Sequence, residues 1–187
     1  MPASCYGADG QPMTLPNVFL VGPMGAGKSA VGRQLAKMLR REFLDSDAEI
    51  EARTGVDIAF IFEKEGEAGF RRRECAVIQA LTAREDVVLA TGGGAVLHAD
   101  NRAALASRGL VVYLQASVEQ QLERTRLSNH RPLLETPDPA GRLAQLMRDR
   151  EPLYEALATF TIATDGRMVR DVAQEVRRVL TALETES

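Results

Sequence analysis

Val18-Phe19-Leu20-Val21-Gly22-Pro23-Met24-Gly25-Ala26-Gly27-Lys28-Ser29 decides how the rest of the chain is read. Four apolar residues enter a loop carrying Gly22, Gly25 and Gly27. Lys28 and Ser29 then open a stretch whose apolar residues, Val31, Leu35, Met38 and Leu39, recur at helical spacing. The order is strand, loop, helix, and the loop matches G-x-x-x-x-G-K-[ST] in full. In such a loop the glycines let successive N–H groups point at phosphate oxygens. The lysine brings a positive charge to the β- and γ-phosphates, the serine hydroxyl is a ligand for Mg²⁺, and the helix adds its dipole and free N–H groups. A glycine-rich turn that happens to precede a helix is the alternative, and the complete motif in its strand–helix setting disfavours it.

Downstream, Glu42-Phe43-Leu44-Asp45-Ser46-Asp47 reads as a short strand ending in two carboxylates two residues apart. In extended chain this spacing puts both on one side, at the C-terminal end of a parallel strand, where α/β proteins bind ligands. Asp47 could instead cap the next helix, Ala48 to Arg53, which Gly55 ends. Capping explains one of the pair and not both. Val87-Val88-Leu89-Ala90-Thr91 is the continuous apolar run of a strand buried on both faces. Many P-loop proteins carry their metal-binding Asp on this strand; here there is none, which moves that duty to Asp45. Gly92-Gly93-Gly94 follows directly, reading as backbone that comes very close to something with N–H groups free to donate, or alternatively as a hinge.

Helical segments are expected over 57–66 and 67–84, the second carrying Phe70-Arg71-Arg72-Arg73-Glu74. Adjacent helical residues point about 100° apart, so three consecutive arginines cannot all face one site. Arg72 and Arg73 are assigned to a solvated face. A helix over 100–107, a strand over 110–114 and a helix over 118–126 continue the alternation. The stretch 128–139 contains three prolines and Arg131, the composition and length of a lid between two helices. A helix over 140–158, with Pro152 straining its middle, a strand over 159–163 and an amphipathic helix over 169–183 close the chain. Alternating strands and helices predict an α/β fold: a three-layer arrangement with a central parallel sheet of about five strands flanked by helices.

At 187 residues and 45% hydrophobic, the chain can bury a full core as one domain over 17–187, preceded by a mobile leader over 1–16 that holds three Pro and two Gly. The net charge of −3 gives no general case for a nucleic-acid partner. Cys5 and Cys75 are too few for a disulfide framework and are expected as free thiols. The start lacks the basic and apolar runs of a signal peptide, and no stretch reaches the ~20 apolar residues that cross a bilayer, so a soluble cytoplasmic protein is expected. His98 and His130 are too far apart to imply a metal site; His98 is expected at the surface or as a helix cap.

Together, the loop Gly22–Ser29, Asp45-Ser46-Asp47, Phe70-Arg71-Arg72, Gly92-Gly93-Gly94, Arg131-Pro132-Leu133-Leu134 and Arg150-Glu151-Pro152-Leu153-Tyr154, in this order and spacing, resemble the shikimate kinase family. The resemblance runs from Asn17 to the final helix. It implies a nucleoside-monophosphate-kinase-like P-loop fold, with a substrate-binding helical segment over about 46–84 and a lid over about 127–139. It also implies ATP and Mg²⁺ as cofactors and shikimate as the partner of a monomeric enzyme that takes neither nucleic acid nor membrane. By the same resemblance, Gly22, Gly25, Ala26, Gly27, Lys28, Ser29 and Ala30 hold the nucleotide phosphates, although relatives often have a second hydroxyl residue where Ala30 stands. Arg124 and Arg167 lie near the adenine, and Ser29 and Asp45 hold the metal. Asp47 binds the shikimate hydroxyls and is the candidate base. Arg71 and Arg150 grip the carboxylate, Gly92, Gly93 and Gly94 offer backbone N–H groups, and Arg131 enters from the lid beside Lys28 to neutralise phosphate charge. A kinase of gluconate or of a nucleoside monophosphate is the nearest rival, and a nucleotide-dependent switch the more distant one.

Overall fold

The computed structural model describes residues 16–126 and 136–185. Most of the expected leader, Cys5, His130, Arg131 and residues 127–135 of the expected lid lie outside the described residues.

Five strands form one sheet: β1 (Asn17–Val21), β2 (Glu42–Asp45), β3 (Val87–Ala90), β4 (Gly109–Gln115) and β5 (Phe160–Ala163). Every pairing is parallel and the spatial order is β2-β3-β1-β4-β5. The strand that opens the fold is therefore the central one. Its residues Val18, Phe19, Leu20 and Val21 are wholly buried, and their alternation explains why the stretch reads as continuously apolar. Phe19 and Val21 belong to the core on one face, Val18 and Leu20 to the core on the other. Burial of such a side chain contributes about 2 kcal/mol.

On one face, the helices α1 (Lys28–Leu39) and α7 (Val169–Thr185) pack through Val31, Leu35, Val172, Val176 and Leu180. On the other lie α2 (Ser46–Thr54), α3 (Ile58–Thr82), α4 (Ala99–Arg108) and α6 (Pro139–Leu157), with α5 (Val118–Thr125) against α6. The three expected layers are thus present. Because β1 lies between β3 and β4, the chain leaves β1 toward one side and returns on the other. The crevice at the carboxyl ends of the strands opens at this reversal, where the loop after β1 lies.

Local differences from the sequence expectations have identifiable causes. The helix after β2 begins at Ser46, one residue beyond the strand, because the Asp45 carboxylate accepts hydrogen bonds from the N–H groups of Asp47 (3.0 Å) and Ala48 (3.3 Å). Asp45, not Asp47, is the cap. The two segments expected over 57–66 and 67–84 form α3, interrupted at Gly66, whose backbone is non-helical (φ 68°, ψ −179°). A short 3₁₀ turn, Ala95–Leu97, follows the glycines and was not anticipated. The helix α6 runs through Pro152 and begins at Pro139 with Asp138 as its cap, so the last residue of the expected lid is helical. His98 caps α4, as expected, by accepting from the N–H of Asp100.

Candidate active site

The loop between β1 and α1 holds Gly22, Gly25 and Gly27 at φ 139°, 77° and 86°, a region that side chains other than glycine rarely adopt. Gly27 is the N-cap residue of α1 and supplies no side-chain cap. The first N–H groups of a twelve-residue helix therefore face the crevice ready for an anion. Ala26, fully buried, closes the loop by donating to the Pro23 carbonyl. Lys28 reaches back across the loop, its Nζ donating to the carbonyls of Gly22 and Pro23, both at 2.7 Å. Ser29 Oγ donates to Asp45 Oδ2 at 2.6 Å, which joins the start of α1 to the end of β2. These two oxygens are hard donors of the kind that suits Mg²⁺. Arg124 on α5 donates to the Gly25 carbonyl (3.0 Å) and to the Thr164 carbonyl (2.9 Å), tying the loop to the segment after β5.

A cleft of about 260 Å³ lies beside this loop, lined by Gly25, Gly27, Lys28, Ser29 and Ala30 on one side and by Asp45, Asp47, Thr91, Gly92, Gly93 and Arg124 on the others. Asp47 stands across it in the first turn of α2. Its Oδ1 is enclosed and has no hydrogen-bond partner among the described residues. Burial, then the neighbouring Asp45 and Glu74 carboxylates, push its pKa up to about 6, against the pull of Lys28 and Arg71. A carboxyl with its pKa near 6 is poised to exchange a proton close to neutral pH.

Behind Asp47 lies a network of opposite charges. Glu74, 1% exposed, has one oxygen paired with Arg71 Nη1 at 2.8 Å and the other without a partner among the described residues. Burial raises the Glu74 pKa, and Arg71 opposes it. Burial works against the Arg71 charge, but Glu74 and Glu67 outweigh it and hold that pKa above its ordinary value. Arg150 is buried under the same assembly. Burial lowers its pKa, as does the field of Arg71, while Tyr154 works the other way. Tyr154 stacks on Tyr113 at 5.0 Å and donates to the Gly93 carbonyl at 2.5 Å.

The three glycines are a close approach, not a hinge. A Cβ on Gly92 would lie 2.7 Å from both Asp47 Oδ1 and Glu74 Oε1, and one on Gly94 would collide with the Arg71 guanidinium. Their donors are not equivalent, however. The Gly92 N–H is already given to Ser46 Oγ at 2.9 Å, so a substrate would have to displace that bond to use it. Gly93 and Gly94 keep that role open.

Of the residues singled out in the sequence, Lys28, Ser29, Asp45 and Asp47 line the cleft; Arg71 and Arg150 do not, Arg71 standing behind it through its pair with Glu74 and Arg150 lining a small adjacent pocket with Pro23, Met24 and Tyr154. Asp45 and Asp47 reach the cleft through a strand-to-helix turn and not through strand alternation. Arg167 is not among the residues lining the cleft: its guanidinium is held by the Ala163 carbonyl and by Glu175 on α7. Arg73 pairs with Glu65 and Arg72 is exposed, in keeping with the solvated face assigned to them. Glu74, Ser46 and Thr91 were not singled out. Only Glu74 left a trace, three residues after Arg71 on the same helix.

A phosphate loop at the reversal point of a parallel β2-β3-β1-β4-β5 sheet, facing carboxylate and guanidinium groups from the helices beyond β2, defines a P-loop phosphotransferase. The family model for shikimate kinase matches residues 24–181. The shikimate kinase of Methylococcus capsulatus is 57% identical over 168 residues, covering 90% of this chain and 92% of that protein. That of Vibrio cholerae is 54% identical over 164 residues, 88% and 94% of the two. Among solved structures, shikimate kinase from Acinetobacter baumannii in complex with shikimate superposes with a TM-score of 0.89 at 54% identity, covering 90% of this chain and 94% of that one. The chain belongs to the shikimate kinase family. Among the described residues, no helix is long and apolar enough to cross a membrane.

Proposed function

We propose that this protein transfers the γ-phosphoryl group of ATP to the 3-hydroxyl of shikimate, giving shikimate 3-phosphate and ADP on the route to chorismate and the aromatic amino acids. Family membership supports the reaction, and one observation supports the residue roles. Asp47 lines the cleft together with Lys28 and has an enclosed carboxylate oxygen without a partner among the described residues, with the half-buried Arg71 and the buried Arg150 beyond it.

In this reading the loop Gly22–Ala30 holds the phosphates and Lys28 exchanges its carbonyl partners for phosphate oxygens. Ser29 and Asp45 hold Mg²⁺, which supplies positive charge for the transferring phosphoryl group. Arg71 and Arg150 hold the shikimate carboxylate, for which a guanidinium offers a forked pair of donors. Gly93 and Gly94 supply N–H groups. Asp47 orients the acceptor hydroxyl and takes its proton as the oxygen–phosphorus bond forms and the bond to the leaving ADP oxygen breaks. Arg124 borders the nucleotide, and Arg131, from the lid over 127–139, adds the cation that completes the site once substrate fills it. The segment over 46–84 is the substrate-binding part. A monomer in the cytoplasm, without a nucleic-acid or membrane partner, completes the proposal.

A coupled ADP-release assay over shikimate, gluconate and AMP tests the proposal. Rapid turnover with shikimate alone is expected. Preference for either other acceptor, or slow hydrolysis equal with all three, refutes it.

A further inference from the structure

Away from the cleft, three side chains of metal-ligating type converge where α3 meets the start of α4. Cys75 Sγ lies 3.9 Å from His98 Nδ1, and His98 Nδ1 lies 3.8 Å from Asp100 Oδ2. All three ligand atoms fall within 4.8 Å of one another. A tetrahedral zinc-class ion, with sulfur at about 2.3 Å and nitrogen or oxygen at about 2.0–2.2 Å, places its ligand atoms about 3.3–3.6 Å apart. The two separations to His98 exceed that by a few tenths of an ångström and the third, within 4.8 Å, by no more than about 1.2 Å, which rotation of the exposed His98 and Asp100 side chains supplies. No part of the phosphotransfer site uses these residues.

We propose that Cys75, His98 and Asp100 form a second metal site, for a soft or borderline divalent cation of the zinc class. The donor set selects the ion: a thiolate and an imidazole beside one carboxylate favour zinc-class metals, whereas Mg²⁺ and Ca²⁺ want oxygen ligands alone. Two different elements contribute, so the site is not a consequence of one helix's composition. His98 is fixed as the α4 cap and Asp100 stands two residues on. At present the His98 Nδ1 lone pair accepts a long, 3.3 Å hydrogen bond from the Asp100 N–H, and coordination replaces that weak contact with a metal–nitrogen bond. With His98 and Asp100 exposed at 47% and 75% of their side-chain surface, water fills the fourth position. The thiol loses its proton to solvent on binding. Cys75 directly follows Glu74, the partner of Arg71, and His98 follows the turn after Gly94. A bound ion would therefore fasten the helix bearing the substrate arginine to the segment bearing the glycines.

The test is a Co²⁺ titration of the chelator-treated full chain in a Cys5→Ser background. It follows the near-ultraviolet thiolate-to-cobalt band and its displacement by Zn²⁺. One equivalent of Co²⁺ is expected to raise the band and Zn²⁺ to abolish it. Cys75→Ser should remove it, and His98→Asn, which preserves a capping side chain, and Asp100→Asn should each weaken binding by about ten-fold or more. No band, a band that survives Cys75→Ser or Zn²⁺, or unchanged affinity in both the His98 and Asp100 variants overturns the proposal. Should Cys75→Ser fail to fold, Zn²⁺ protection of Cys75 from iodoacetamide in the Cys5→Ser chain decides instead: protection supports the site and undiminished alkylation refutes it.

Discussion

Replacing Asp47 by Asn should stabilise the ligand-free protein while removing its activity. The Asp47 carboxyl has its pKa raised from an ordinary 3.8 to about 6, first by burial and then by Asp45 and Glu74. Between those two values the folded chain binds more proton than the unfolded one, so stability falls as pH rises through the window and the full cost is present above it. Each factor of ten in the proton equilibrium is about 1.4 kcal/mol, and the interval therefore amounts to about 3 kcal/mol at pH 7.5 and about half of that at pH 5. Asn has nearly the same shape and carries no charge to desolvate. Urea unfolding of parent and Asp47→Asn proteins, without ligands, should show the variant more stable by up to about 3 kcal/mol at pH 7.5, shrinking by about half at pH 5. In the ADP-release assay the same variant should lose about 10²-fold or more in kcat. No gain in stability at pH 7.5 would refute the account of Asp47 as a charge held in an unfavourable place. An equal gain at both pH values would do the same.

For the parent enzyme, log kcat/KM for shikimate should rise with pH through an apparent pKa of about 6 and then level off; a flat profile between pH 5 and 7 removes Asp47 as the base. Gly92→Ala would place a Cβ 2.7 Å from Asp47 Oδ1 and Glu74 Oε1. Because Glu74 is pinned by Arg71, the expected cost is about 1–3 kcal/mol in stability together with a drop in kcat, and a variant matching the parent in both would show that the carboxylates yield freely. Arg71→Lys keeps the charge and loses the fork, so KM for shikimate should rise about ten-fold or more; an unchanged KM contradicts the carboxylate contact. Arg131→Ala should lower kcat by about 10³-fold with shikimate binding nearly unaltered, since that cation acts on charge that develops in the transition state. A change confined to KM would count against its role.

The phosphate loop and the strand alternation were legible because they depend on local rules. Glycine at positive φ, an apolar run for a buried strand and a 3.6-residue period each leave their mark within a few residues. The acidic pair was legible as chemistry but not as geometry. An extended chain would have presented Asp45 and Asp47 on one side, yet the Asp45 carboxylate captures the N–H groups of Asp47 and Ala48 and turns the chain into a helix, so the two arrive by different routes. Glu74 stayed hidden because a glutamate on a helix reads as solvated, and its burial comes from the packing of Gly92 and Arg71 upon it. Arg167 shows the converse. A basic residue after the last strand has the right place in the chain for an adenine contact, but Glu175, two helical turns away, claims it. Nothing within a few residues of Cys75 announces His98 and Asp100, which are brought there by the docking of α3 on α4.

The placement of β1 at the centre of the sheet has a consequence for how this protein is made. On the ribosome, the strand Asn17–Val21 emerges first, yet its neighbours come much later: Val18 pairs with Val88 on one side and with Leu110 on the other. At about 5–20 residues per second, a wait of roughly 4–14 seconds separates synthesis of Val18 from that of its first lateral partner. Throughout that interval a strand whose four apolar residues are wholly buried in the folded protein has no edge to join. The step most exposed to aggregation is therefore translation between β1 and β3, and a holdase that shields short aliphatic stretches would improve yield by acting then.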